Sequence, residues 1–210
     1  MTGPYLASED SALLREVLEA YSGGSFLEIG AGNGGNLVAL AGRFHSAVGT
    51  DLVAPGMGDW KEKGADFIVA DGASCVRVGS FDLVAFNPPY LPGQVEDDPA
   101  TEGGAGLEVP MRFLRDALKA VKLTGRVVML LNDQAPVGEF EAECSRHGFM
   151  LVQVAKRHLF FEELAVYEAS ATQDRLRPET TEGVSQSGLL PGQTEMSAAS
   201  LLHQVPASPS

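Results

Sequence analysis

Cysteine is scarce in this chain of 210 residues: only Cys75 and Cys144 occur, with no CxxC and no Cys/His cluster. A disulfide framework is excluded, and a structural zinc site has no ligands. Both cysteines are expected to be small buried hydrophobes, the usual fate of a free thiol. Positive charge is short as well, with 15 Lys and Arg against 28 Asp and Glu and a formal charge of −13. An unaided grip on a phosphate backbone needs a basic surface, so direct binding of nucleic acid is not expected without a basic partner. No run of about eighteen apolar residues is present to cross a bilayer. Met1-Thr2-Gly3-Pro4-Tyr5 lacks the basic-then-apolar order of a secretion signal. A cytoplasmic protein is expected.

The 44% hydrophobic content fits a globular chain, and the length suits one domain. Residues 171–210 are dominated by Ser, Thr, Gln, Gly and Pro without an apolar period. They read as a disordered low-complexity tail behind a domain spanning 1–170. Within that domain helical and extended patterns alternate. Leu13, Leu14, Val17, Leu18 and Tyr21 share one face of a helix over 8–21, with Ser8 as its N-cap. Strands are expected at 26–29, 47–50, 66–70, 81–86 and 126–131, and helices at 36–44, 109–121 and 140–147. Two last strands, near 149–155 and 158–168, follow each other without a helix, so one of them runs antiparallel. The rest form a parallel sheet with helices on both faces. Ligands of such sheets bind at the carboxyl ends of strands, and four strands here end at Glu28, Asp51, Asp71 and Asn87.

Glu28-Ile29-Gly30-Ala31-Gly32-Asn33-Gly34-Gly35 joins the first strand to a helix. Gly30, Gly32 and Gly35 spell GxGxxG, a dinucleotide fingerprint, with Asp51 at the expected distance. Glu28, Gly30, Gly32 and Gly34 equally spell ExGxGxG. The glycines alone do not choose. Charge does, because Glu28 would lie beside the pyrophosphate of a dinucleotide, a like-charge contact costing on the order of 1–3 kcal/mol. Glu28, Asp51 and Asp71 suit S-adenosylmethionine, a cation without phosphate. Asp51 can accept from both ribose hydroxyls and Asp71 from the adenine amino group.

Asn87-Pro88-Pro89-Tyr90 follows the fourth strand. Two prolines stiffen the turn and donate no N–H, so carbonyl oxygens are presented without competing donors. Asn87 Oδ1 and the Pro88 carbonyl can each accept one hydrogen of a planar NH2 group. That aims its nitrogen at a methyl donor and strengthens as positive charge develops. Tyr90 can stack on the flat group.

These motifs resemble the HemK-type glutamine methyltransferases, in particular the single-domain archaeal and eukaryotic branch that modifies translation release factors. The resemblance spans residues 5 to about 169. It rests on Tyr5 and Glu9-Asp10-Ser11, ExGxGxG at 28–34, Asp51, Asp71, NPPY at 87–90, and Glu102-Gly103-Gly104-Ala105-Gly106 before Arg112-Phe113-Leu114. It implies a class I fold, a seven-stranded, mostly parallel Rossmann-like methyltransferase sheet, without the N-terminal helical domain of bacterial members. By resemblance Ser11, Glu28, Gly30, Gly32, Gly34, Asp51, Asp71, Gly72 and Asn87 contact S-adenosylmethionine. Asn87, Pro88, Pro89 and Tyr90 hold the glutamine of the Gly-Gly-Gln loop of a class-1 release factor. Ala7 and Ser11 depart from the Pro and Thr usual in the family, though Ser11 keeps a hydroxyl for the methionine carboxylate. Members of this branch also take a small zinc-binding activator subunit. Phe67-Ile68-Val69, expected as an apolar edge strand, is where it would add a strand.

Three rivals stand beside this reading. NPPY also serves methylation of exocyclic amines in DNA, rRNA or tRNA. GxGxxG alone would serve a nicotinamide-dependent oxidoreductase, and a silent binding module needs neither. His45, His147, His158 and His203 are dispersed and read as solvated or core side chains, Phe160-Phe161 as an apolar patch, and Trp60 has no legible role.

Overall fold

Phe81–Phe86 is buried at nearly every position, which a strand tolerates only with both faces covered. It is β4, the centre of the sheet. A computed structural model describes residues 9–54, 60–89, 107–159 and 162–176, with side chains from residue 11. Expectations for Tyr5, Ser8, Tyr90, Glu102–Gly106, Phe160-Phe161 and His203 lie outside the described residues. The elements are α1 (Glu9–Leu18), β1 (Gly23–Ile29), α2 (Gly35–Ala41), β2 (Phe44–Asp51), β3 (Ala65–Val69), β4 (Phe81–Phe86), α3 (Glu108–Ala120), β5 (Val121–Asn132), α4 (Val137–Arg146), β6 (Phe149–His158), β7 (Glu163–Ala171) and α5 (Gln173–Leu176).

Seven strands form one sheet in the order β3-β2-β1-β4-β5-β7-β6. Pairings from β3 through β5 are parallel, and β7 runs antiparallel to both β5 and β6. The chain order reverses between β1 and β4, so crossovers leave in opposite directions and a crevice opens at their carboxyl ends. Side-chain alternation splits the core in two. Leu27, Ile29, Val84, Phe86, Val127, Met129 and Leu131 pack under α3 and α4. Phe26, Leu83, Ala85, Val128 and Leu130 pack under α1 and α2 with Leu13, Leu14, Leu18 and Leu37.

The boundaries differ from the pattern reading where packing extends a strand. Gly23-Gly24-Ser25 joins β1 because Gly23 pairs with Phe44, and a Cβ on Gly24 would fall 2.0 Å from Asp82 Oδ2. Phe44 belongs to β2, not to the preceding helix, and stacks on Phe26 at 5.1 Å between centroids. α3 passes into β5 at Val121 with no loop between them. Ordered chain also continues past residue 170, where the Arg175 guanidinium lies 4.4 Å over the Phe149 ring. Cys144 is buried as expected, and burial pushes its thiol up to about 12. Cys75 is the exception, exposed in the surface turn after β3, where Gly72 and Ala73 are buried and Val76 packs against the core. No helix among the described residues is long and apolar enough to cross a membrane.

Candidate active site

Strand alternation decides which polar residues share a face. Glu28 follows Leu27 and Asp51 lies four residues past Ala47. Asn87, extended because a proline follows it, comes after Phe86. All three therefore point to the α1/α2 side of the carboxyl edge. Six buried side-chain atoms lack a hydrogen-bond partner among the described residues: Glu28 Oε2, Thr50 Oγ1, Asn87 Oδ1, Arg112 Nε, Asn132 Oδ1 and Glu143 Oε2. Glu143 Oε2 is a separate matter, lying 2.6 Å from Arg146 Nη2 in an ion pair without hydrogen-bond geometry. The other five gather at the carboxyl edge. Orphaned buried groups cost stability wherever they stand, so their concentration at one edge marks where a ligand would satisfy them.

The loop after β1 turns on glycines in the left-handed region, with φ of 69° at Gly30, 54° at Gly32 and 70° at Gly34. A Cβ on Gly32 would meet nothing within 4 Å, so open space lies over the backbone there. Gly34 is the opposite case, since a Cβ would fall 1.6 Å from the Trp60 ring. Trp60, silent in the sequence, rests on this loop and packs on Phe67 at 5.5 Å. Gly34→Ala is expected to cost several kcal/mol from the clash and the strained φ. Trp60→Ala in the same chain should recover the part due to the clash. Thermal melts of the two single variants and the double variant check this.

Asp51 is tied to the loop. Its Oδ2 accepts from Gly32 N–H at 2.8 Å and its Oδ1 from Val53 N–H at 3.2 Å. Glu28 is 5% exposed and works from beneath, accepting from the Asn36 side chain and the Leu37 N–H of α2's first turn. Arg15 Nε in turn donates to Asn36 Oδ1 at 3.0 Å, which connects α1 to the same carboxylate. Burial pushes the Glu28 carboxyl up to about 7, against the opposing hydrogen bonds and the Arg15 charge. Glu28 is thus both a loop anchor, which the sequence did not foretell, and a carboxylate with one oxygen free.

Asp71 is half-exposed, and its Oδ2 accepts from Arg112 Nη1 at 2.6 Å. The three expected acids are therefore not equally bare, because α3 supplies a cation to one of them. Asp116 holds the same turn, accepting from Ala73 N–H at 3.1 Å beneath Gly72, whose φ is 58°. Neither Arg112 nor Asp116 was singled out for this role, though their i, i+4 spacing on a helix face was visible. Pro88 is buried, Pro89 and Ser11 are half-buried, and Ser11 sits on the first turns of α1. Tyr90 lies outside the described residues.

These features fit S-adenosylmethionine. A buried carboxylate oxygen without a partner among the described residues suits a cation, and an open backbone over Gly32 admits a ligand at close range. No family model matches the chain. A sequence of Methanocaldococcus jannaschii assigned as a protein N5-glutamine methyltransferase is 31% identical over 180 residues, covering 79% of this chain and 90% of that protein. Among solved structures, the E. cuniculi Mtq2-Trm112 complex, responsible for methylation of the eRF1 translation termination factor, superposes with a TM-score of 0.65. It is 26% identical, and the match covers 80% of this chain and 98% of that one. A TehB-like methyltransferase of Corynebacterium glutamicum shares the fold at 20% identity and a TM-score of 0.53, covering 76% of this chain and 87% of its own. The chain thus belongs to the HemK-type protein N5-glutamine methyltransferases, a family of class I S-adenosylmethionine-dependent enzymes.

Proposed function

We propose that this enzyme methylates the side-chain amide nitrogen of a glutamine in a translation release factor, at its Gly-Gly-Gln loop. The observation that carries the reading is Asn87 Oδ1, a buried acceptor with no partner among the described residues, at the end of β4 beside a proline that donates nothing. A carboxamide NH2 has two hydrogens to give. Asn87 Oδ1 takes one and the Pro88 carbonyl takes the other.

When bound, S-adenosylmethionine supplies an electrophilic methyl group on a sulfonium. Glu28 Oε2 and Asp51 would hold its cationic and ribose parts, Gly30, Gly32 and Gly34 would let the backbone approach it, and Ser11, Asp71 and Gly72 would help to hold it. Asn87 and Pro88 would orient the acceptor nitrogen toward the methyl donor and favour its pyramidal form. The nitrogen would become acidic only as it is alkylated, and its excess proton would pass to water, so no strong base is required of the chain. Positioning of this kind supplies several kcal/mol of the roughly 7–11 available to ideal alignment.

The test uses labelled cofactor and a release factor with the Gly-Gly-Gln glutamine intact or replaced. Label is expected on the intact protein alone; equal labelling of both ends the proposal. Base methylation is disfavoured by the net charge of −13, which opposes an unaided grip on a phosphate backbone.

A partner belongs to the same reading. β3 is an outer strand, and around it Leu52, Val53, Ile68 and Val69 are 56%, 68%, 38% and 58% exposed. A small zinc-binding subunit adding a strand there would bury this patch beside Asp51. The opposite edge, β6, also exposes Met150, Val152 and Val154, so the two edges are compared. Ile68→Asp should abolish capture of such a subunit on co-purification and Val152→Asp should not; the reverse pattern moves the partner to β6.

A further inference from the structure

Asn132 is the last residue of β5, held in extended conformation by its pairing with Leu164 of β7. Its Oδ1 is buried and accepts from nothing among the described residues, a cost unless a donor arrives. Val128 and Leu130 pack beneath α1, and alternation puts Asn132 on that same face, the face of Asn87. Register sets the offset between the two amides. Phe86 stands opposite Met129, so Asn87 is level with Leu130 and Asn132 lies two residues nearer the open edge. At ~3.3 Å per residue and ~4.8 Å between strands, Asn132 is about 7 Å outward and one strand across. A glutamine whose amide nitrogen reaches Asn87 has its own Cα about 5 Å behind that nitrogen, four ordinary bonds away. Its backbone N–H therefore arrives near the level of Asn132.

We infer that Asn132 is a substrate-binding residue for the main chain of the acceptor peptide, its Oδ1 accepting the backbone N–H of the glutamine held at Asn87. This rests on the glutamine reading and narrows it. The two asparagines measure the substrate, one at the amide and one at the backbone, so glutamine within a chain is taken in preference to a bare carboxamide. A shorter asparagine side chain satisfies one of them and not both.

The experiment compares a glutamine peptide with its depsipeptide, in which an ester oxygen replaces the glutamine N–H. Both are assayed with the wild-type enzyme and Asn132→Ala, in whichever form, alone or with its partner subunit, turns over. On the wild type the ester should raise KM roughly tenfold, the loss of one buried hydrogen bond, with kcat changed less than about twofold. Asn132→Ala should raise KM for the amide peptide by a similar factor, show no further penalty from the ester, and keep the cofactor Kd. Equal KM values for the two peptides on the wild type overturn the inference, as does an ester penalty that persists in Asn132→Ala. No transfer to either peptide defeats the glutamine reading and this inference with it, whereas equal transfer to both defeats this inference alone. The wild-type comparison needs no variant, so a poorly folding Asn132→Ala leaves it decisive.

Discussion

Asn87→Ala should lower kcat by a factor of roughly 10² to 10³, the loss typical of removing one group that binds the transition state better than the ground state. Cofactor Kd should change by less than about threefold, because the variant leaves Glu28, Asp51 and the glycine loop intact. Two measurements check it: single-turnover label transfer to the release factor, and calorimetric titration with the cofactor. Stability supplies a third. Asn87 Oδ1 is buried without a partner among the described residues, so truncation removes an unsatisfied acceptor and the melting temperature should hold or rise. A residue that served only to cap β4 would instead lose stability along with activity. Full turnover in Asn87→Ala would end the proposed mechanism.

Glu28→Gln carries the other large effect, and its sign depends on pH. The folded carboxyl titrates at about 7 against an ordinary 4.5. A carboxyl raised on folding holds its proton more tightly in the native state, so its contribution to stability is whole below about 4.5 and is lost as pH rises through about 7. Above that pH the charged form costs on the order of 3 kcal/mol. Glu28→Gln, never charged, should match the wild-type melting temperature near pH 5 and exceed it at pH 8. Cofactor affinity moves the other way. A cationic ligand favours the carboxylate, so wild-type Kd should weaken up to about tenfold from pH 8 to pH 6. Glu28→Gln should be flat over that range and weaker than wild type at pH 8 by roughly 10- to 100-fold, the worth of a buried charged contact. A pH-independent wild-type Kd would remove Glu28 from the cofactor's surroundings and leave it as the loop anchor that Asn36 and Leu37 make it.

The left-handed glycine loop and the position of Asp51 at the end of β2 were legible in the sequence because each is a local pattern within a few residues. The strand order toward β7 was half legible: two strands without a helix between them require an antiparallel member. That β7 inserts between β5 and β6 is decided by pairing across the sheet. Helix ends were misjudged where a neighbour overrode local propensity, as when Phe44 left the helical pattern to stack on Phe26.

What the amino-acid order settled alone is the kind of site: a turn of glycines, an excess of acids and a proline-stiffened asparagine, each written in consecutive residues. What the folded chain decided is who meets whom over long separations. Arg112 reaches Asp71 across 41 residues, Trp60 lies on Gly34, and Asn132 ends β5 on the sheet face where Val128 and Leu130 pack. No periodicity encodes such meetings, because they follow from strand register and helix placement, which are set by packing of the whole core at once.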